Sequence, residues 1–412
     1  MPRYTETNIG ITDEQVALKE SVHKFCKEVL RPASLELDRI PDPEDVISKD
    51  SVFWRAMKKA YELGYHAAII PQEHGGRGLG ALETHIFLEE VGWASAEFAI
   101  AIGATAFPFI AAANTMDEDL VRDLVKPFAA DKEARYVGCW AITEPDHGSD
   151  SLMPGTKEFS DPGIRFQTTA RRDGDYWVIN GQKSSWVSNG IIATHALTFL
   201  TIDASQGMNG GGVAIVPLDL AGVSRGRSLD KLGQRALNQG EIVFDGVRIP
   251  QNYMVSQPET YPFMMNATLA LANAAIGTMF TGVARAAYEE ALDYCKVRIQ
   301  GGKPICEHQW IQQKLFEMFA KVESARALSR AAMIYNTETM PPVLELSIAS
   351  KVHCTKVAFE VANDAVQLFG SYGLSKGYTI EKIFRDARSS LIADGCNEVL
   401  ALAAAKVLLT NY

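Results

Sequence analysis

Cysteine is sparse in this chain of 412 residues: six thiols, Cys26, Cys139, Cys295, Cys306, Cys354 and Cys396, show none of the paired spacing that a zinc or redox motif requires. They read as reduced thiols in a cytoplasm, and no metal site is expected. Basic charge is also in deficit. Forty Lys and Arg against fifty Asp and Glu give a net charge of −10, and the cations are scattered, which argues against a partner bound through a phosphate backbone. Nucleic acid is therefore not an expected partner. The N-terminal MPRYTETNIGITDEQ lacks an apolar signal core, and no uninterrupted apolar run reads as long enough to span a bilayer, so no membrane is expected either. The small-residue run Thr268 to Ala287 carries Asn273 and Arg285 and reads as a helix buried among other helices. Internal repeats, low-complexity tracts and flexible linkers are missing. In IIPQEHGGRGLG the glycines do not follow G-x-G-x-x-G and no parallel strand unit surrounds them, which disfavours a dinucleotide-binding glycine loop.

What remains is an ordinary globular composition, 47% hydrophobic and 22% charged, on a chain long enough for two or three domains and a large buried cofactor. From Asp13 to about Asp131 apolar residues recur at helical spacing, as in EQVALKESVHKFCKEVL. From roughly Arg135 to Val255 the period changes to two, with short runs at IRFQTTA, YWVING, ATHALTFLTI, GVAIVPL and EIVFDGVRIP, and Asp173-Gly174 and Asn180-Gly181 read as tight turns. Long helical periods return from about Tyr261 to the end. The expected fold is α+β and multidomain: an N-terminal α-helical domain over 1–134, a middle antiparallel β domain over 135–255 and a C-terminal four-helix bundle over 256–412.

Several long segments in order, LGYHAAIIPQEHGGRGLG, AITEPDHGSD, NGQKSSWVSNG, LGQRALNQGEIVFDGVRIP, RIQGGKPICEHQ, QLFGSYG and EKIFRDAR, make nearly the whole chain resemble the acyl-CoA dehydrogenase family. The resemblance implies FAD. An isoalloxazine ring needs hydrogen bonds at its polar edge and flat contact on its faces, so Trp140, Ile142, Thr143 and Ser149 are assigned to FAD or the adjoining substrate. Glu144, Asp146 and His147 read as fold or surface residues. By the same resemblance Trp186 stands against the flavin and Ser188, where the family often has Thr, bonds near its reactive nitrogen; Val187 replaces the usual Ile. Arg298 matches the arginine that neutralises the pyrophosphate, Gln309 and Gln367 match amides that hold the adenosine half, and Gly370 lies in the adjacent turn. In relatives these come from a neighbouring subunit, which implies a homo-oligomer, dimer or tetramer. Gly301 sits where the family often has Phe, and Cys396 where it has Thr near the diphosphate.

The family reaction removes a proton from the α-carbon of an acyl-CoA while hydride leaves the β-carbon for flavin N5, and the resemblance implies an electron-transferring flavoprotein as acceptor. Most relatives use a Glu before a Gly as base; here FRDARSSLIADGCNEVL has Asp394 and Gly395. Aspartate is one methylene shorter, and about 1 Å of misplacement can cost roughly a hundredfold in rate. The other reading of Asp394 is the N-cap of the last helix. The Asp394 N–H, by resemblance, would hold the thioester carbonyl, so Ser149, Asp394 and Gly395 form the expected substrate contacts. The position that carries the base in other relatives is Ala272, and the neighbouring activating arginine is Asn273. Glu97 reads as a surface helix residue rather than a second carboxylate; Trp93, Phe98, Phe107 and Phe109 are candidates for the acyl cavity, or core. The short base implies an unusual acyl group, cyclic, branched or already unsaturated. Two competing readings are a nitroalkane-oxidase-like flavin oxidase of a non-thioester acid, whose base is also Asp, and a non-catalytic FAD-binding relative.

Overall fold

In the computed structural model, which describes residues 10–411, the first third of the chain forms helices α1 (Asp13–Phe25), α2 (Arg31–Leu37), α3 (Pro43–Val46), α4 (Val52–Glu62), α5 (Ala81–Ala94), α6 (Ala96–Asn114), α7 (Glu118–Leu120) and α8 (Lys126–Ala130). Local chemistry sets the start of α1: the Thr12 hydroxyl accepts from the Gln15 N–H while the Gln15 side chain accepts from the Thr12 N–H, a reciprocal capping box. The middle third is an eight-stranded sheet in the order β6-β7-β3-β2-β4-β5-β8, with β1 added against β4. Its strands are β1 (Gly138–Ala141), β2 (Thr169–Asp173), β3 (Tyr176–Lys183), β4 (His195–Thr201), β5 (Gly211–Pro217), β6 (Val223–Arg225), β7 (Ile242–Pro250) and β8 (Met254–Ser256). Most pairings are antiparallel, but β1 runs parallel to β4, as does the start of β2 through Thr169 and Thr201. The last third is the bundle: α9 (Tyr261–Val297), α10 (Gln309–Glu338), α11 (Leu344–Phe369), α12 (Thr379–Ser389) and α13 (Asn397–Asn411).

Turn chemistry departs from the sequence reading in two places. The β2–β3 hairpin turns on Gly174 and Asp175, since Asp173 already pairs with Tyr176. Asn180-Gly181 makes no turn at all. It lies inside β3, where the register against β7 shifts between Ile179 and Gly181, and a Cβ at Gly181 would sit 2.4 Å from the Thr168 Cα. Glycine here permits a bulge and a close strand contact rather than a reversal. Of the run IRFQTTA, only Thr169 and Ala170 enter a strand.

The expectation of no membrane-length apolar run also needs correction. Helices α6 and α9 are each long and apolar enough to cross a bilayer by length and composition, yet 72% and 83% of their most apolar windows are buried inside the protein. Small residues let such buried helices approach closely. A Cβ at Gly92 of α5 would lie 2.0 Å from the Met279 carbonyl oxygen, and one at Gly282 of α9 would lie 2.1 Å from that of Glu89, so the two helix backbones touch.

At this contact α5 is bolted to the bundle by charge. Glu89 and Glu90 are buried on α5, and Arg285 of α9 donates to both, at 2.9 and 2.8 Å through one nitrogen and at 2.6 Å to Glu90 through the other. Arg326 of α10 adds bonds to Glu89 at 2.9 and 3.1 Å. Burial alone would raise the Glu89 carboxyl, but the Arg326 and Arg285 charges outweigh it and hold it well below the ordinary range. Glu97 is not at the surface as the sequence reading had it. It is fully buried, accepting from Ser34 at 2.7 Å and from Lys382 of α12 at 2.7 Å, because a partner on α12 and another on α2 compensate the loss of water. Replacing Arg285 with Met, which leaves two buried carboxylates short of a partner, is expected to lower stability by about 3–5 kcal/mol. Urea unfolding followed by far-UV circular dichroism measures this; a change below about 0.5 kcal/mol would mean that the network is not dry.

Candidate active site

Alternation along β1 begins the site. Cys139 and Ala141 face one hydrophobic cluster within the sheet, while Trp140, and Ile142 just beyond the strand, face the other. That second face opens on a cavity of about 650 Å³. Trp140, Ile142, Thr143, Ser149, Trp186, Ser188, Asp394 and Gly395 all line it. Arg298, Gln309, Gln367, Gly370 and Cys396 do not line it in this chain.

The second wall is the turn after β3. Asn189, at φ 63°, donates through Nδ2 to the carbonyls of Ala101 at 2.9 Å and Gly138 at 3.2 Å, tying the turn to α6 and β1 at once. A short asparagine suits this left-handed position. The anchored turn presents Trp186, whose side of the chain is left 58% exposed, and Ser188, whose hydroxyl accepts from Gln239 at 3.2 Å. Glu144 belongs to the fold, as read: with Lys183 it forms a fully buried pair at 2.7 Å, and it also accepts the backbone N–H groups of Gln167 and Thr168.

The third wall is the loop between α12 and α13. Asp394 and Gly395 are consecutive left-handed residues, at φ 52° and 96°. A non-glycine residue there stores about 1 kcal/mol or more, which the surroundings must hold. Several bonds hold it: Asn397 N–H to the Leu391 carbonyl at 3.0 Å, Cys396 N–H to the Ser149 Oγ at 2.9 Å, and Lys351 Nζ of α11 to the Gly395 carbonyl at 2.6 Å. The N-cap reading of Asp394 fails here. The Cys396 carbonyl accepts the first helical bond, from Leu400, which makes Cys396 the cap and leaves Asp394 two residues outside the helix. The Asp394 N–H donates to no backbone oxygen among the described residues. Burial pushes the Asp394 carboxyl up to about 6, with the Lys351 ammonium pulling the other way.

Apolar side chains complete the cavity: Phe87 and Leu88 of α5, Phe107 of α6, Ile276 and Met279 of α9 and Met333 of α10. Of the four aromatics proposed for it, Phe107 lines it and stacks on Trp140 at 5.2 Å between centroids. Trp93 instead donates its Nε1–H to Glu289, and Phe98 and Phe109 are wholly in the core. Ala272 also lines the cavity; Asn273 is buried and donates to the Leu269 carbonyl. Not anticipated from the sequence were Lys231, Gln239 and Arg388 on the wall, and Lys351 behind it.

The donor set fits a flavin. On the cavity wall Trp140 Nε1 is buried without a hydrogen-bond partner among the described residues, and the exposed Trp186 indole offers a flat face. Arg298 lies over the Tyr372 ring at 5.5 Å, without a carboxylate partner among the described residues.

Three family models match in chain order: acyl-CoA dehydrogenase N-terminal domain over residues 12–131, middle domain over 139–247 and C-terminal domain over 262–409. The chain is 29% identical to the rat short-chain specific acyl-CoA dehydrogenase of mitochondria, covering 98% of this chain and 92% of that protein. Among solved structures it is similar to glutaryl-coenzyme A dehydrogenase in its glutaryl-CoA complex (25% identity, 98% of each chain, TM-score 0.87). It is also similar to butyryl-CoA dehydrogenase from Megasphaera elsdenii (27% identity, 98% of this chain and 100% of that one, TM-score 0.84).

Substitution of Gly395 by Ala tests the loop geometry. The added Cβ would meet Leu400 at 2.9 Å and Leu152 at 3.1 Å, on a backbone already left-handed. A shift of about 1 Å at the neighbouring carboxylate is expected to lower kcat by roughly a hundredfold while the protein still folds. Retention of full kcat would show that the loop geometry is not needed.

Proposed function

We propose, from the premise that this chain belongs to the acyl-CoA dehydrogenase family and is an FAD-dependent oxidoreductase of acyl-CoA, that Asp394 takes the α-proton of an acyl-CoA whose acyl group is cyclic, branched or already unsaturated. The observation that carries this is a carboxylate that lines the cavity, is held in a strained left-handed turn and is raised by burial toward neutrality. A base at about 6 is ionised at pH 7 yet basic enough to share a proton with an acidified α-carbon. Its own N–H, free of backbone partners among the described residues, is proposed to donate to the thioester carbonyl and stabilise the enolate. FAD, when bound, accepts the hydride that leaves the β-carbon.

Trp140, Ile142, Thr143, Ser149, Trp186 and Ser188 are proposed to hold the isoalloxazine. Ser149 has a second task, since its oxygen fixes the Cys396 N–H beside the base. The room for a bulky acyl group comes from small residues: Ala272 and Ala275 on α9, Gly103 and Ala104 on α6, and Ala393 beside the base. Arg298, Gln309, Gln367 and Gly370 are proposed to serve the adenosine diphosphate half of a neighbouring protomer's FAD, with Cys396 packing near it. On the same bundle Trp310 and Phe316 of α10 are 58% and 68% exposed in the single chain, which supports a homo-oligomer. The exposed edge at Trp186 supports docking of an electron-transferring flavoprotein, the proposed acceptor.

Anaerobic mixing of the yellow protein with a panel of straight, branched, cyclic and unsaturated acyl-CoA thioesters tests the substrate class. Flavin bleaching by the branched, cyclic or unsaturated members is expected. Bleaching by nitroalkanes alone, with peroxide formed in air, would replace this reading with that of an oxidase. With a productive thioester, kcat/KM should fall about tenfold per pH unit below an inflection near 6 as Asp394 takes up a proton, and level off above it. A flat profile between pH 5 and 8 (about one unit below and two above the inflection) would contradict the role of Asp394.

A further inference from the structure

Lys351 is a buried lysine: the residue is 0% exposed, in the middle of α11, and forms no ion pair among the described residues. Both hydrogen bonds recorded for its ammonium go to one loop. It donates to the Gly395 carbonyl at 2.6 Å and to the Asn397 Oδ1 at 2.8 Å, and Asn397 in turn donates through Nδ2 to Thr355, one turn further along α11, at 3.0 Å. Thr355 closes the ring by donating back to the Lys351 carbonyl at 2.8 Å. Burying an ammonium against neutral acceptors is costly, and a hydrophobic side chain would pack into a helix bundle without that cost. The one segment the ammonium restrains is the turn that carries the proposed base.

We propose that Lys351 is a positioning residue for the reaction: by gripping the Gly395 carbonyl and the Asn397 side chain it holds the left-handed Asp394–Gly395 turn against the cavity and sets both the direction and the field of the Asp394 carboxylate. This rests on the assignment of Asp394 as base. Lys351 is not itself a cavity residue, so it acts through the loop and not on substrate. Without the lysine, the turn keeps the Cys396 N–H bond to Ser149, the Asn397 N–H bond to Leu391 and the Asn397 side-chain bond to Thr355, and nothing among these holds the Gly395 carbonyl. The electrostatic half of the role follows from the same geometry. Burial raises the Asp394 carboxyl and the Lys351 charge opposes that rise. Burial pushes Lys351 down to about 8, against the influence of Asp394, Cys396 and Glu398. The other titratable groups on the cavity wall are Lys231, Arg385 and Arg388 of α12, and Tyr65 and His66 of the N-terminal domain; the Lys351 charge is the one that acts on the Asp394 carboxyl.

The test compares Lys351→Met and Asp394→Asn as FAD-loaded full-length proteins with the best thioester of the panel. For Lys351→Met we expect kcat to fall tenfold or more with KM nearly unchanged, and the acid limb of kcat/KM to move to higher pH. Flavin content and oligomeric state should stay as in the parent. A lowered melting temperature with kcat and the acid limb in place would make Lys351 merely structural and overturn the proposal. Should Asp394→Asn stay active, the base assignment itself has failed; should Asp394→Asn be inactive while Lys351→Met matches the parent, only the positioning role has. If Lys351→Met does not fold, Thr355→Val removes the hydroxyl that braces Asn397 and leaves the charge. It should lower kcat with KM and the acid limb unchanged, and a parental kcat would count against the proposal.

Discussion

A carboxylate is a stronger base near neutral pH when it is partly withdrawn from water and does not pair with the nearest cation. In this protein both conditions are met at the loop before α13. Asp394 lies in a left-handed turn that turns its side chain away from the helix cap position, and the nearest ammonium, Lys351, spends its hydrogen bonds on the Gly395 carbonyl and Asn397 instead of on the carboxylate. The charge is felt without a bond. Moving the carboxylate two residues toward α13, to the position of Cys396, would make it an N-cap whose oxygens accept backbone N–H groups, which would lower its pKa and weaken it as a base.

The rest of the fold serves to bring other surfaces against that loop. Strand alternation aims Trp140 and Ile142 into the cavity, the Asn189 anchor presents Trp186 and Ser188, and the touching backbones of α5 and α9 fix the apolar side. Two buried charge networks hold the domains in this relation. Glu89, Glu90, Arg285 and Arg326 join α5 to α9 and α10, and Glu97, Lys382 and Asp386 join α6 to α12. The second network reaches the cavity wall, because the Gln234 N–H donates to the Asp386 carboxylate at 2.5 Å and Gln234 lines the cavity. Burial and the facing Glu97 carboxylate push Asp386 up to about 7 despite Lys382.

Much of this was legible in the sequence where the signal is local. Helical and strand periods located the elements, and ordered motifs gathered eight cavity residues that lie up to some 250 positions apart, such as Ser149 and Gly395. What escaped was set by tertiary contact. Asn180-Gly181 has turn chemistry but meets Thr168 instead, so it bulges. Glu97 looked like a surface glutamate because its partners, Ser34 and Lys382, are distant in sequence. Lys351 did leave a trace. Ser347, Ile348, Cys354, Thr355 and Ala358 are all buried, and position 351 falls on the same helical face, so a lysine there required a buried acceptor. The acceptor, a backbone carbonyl on another loop, has no sequence signature.

The base role of Asp394 is tested by the anaerobic rate of flavin reduction in a single turnover of Asp394→Asn with a thioester that bleaches the parent. The variant is expected to keep its FAD and bind the thioester but to be reduced at least about a hundredfold more slowly. Reduction at the parental rate would mean that another group removes the proton.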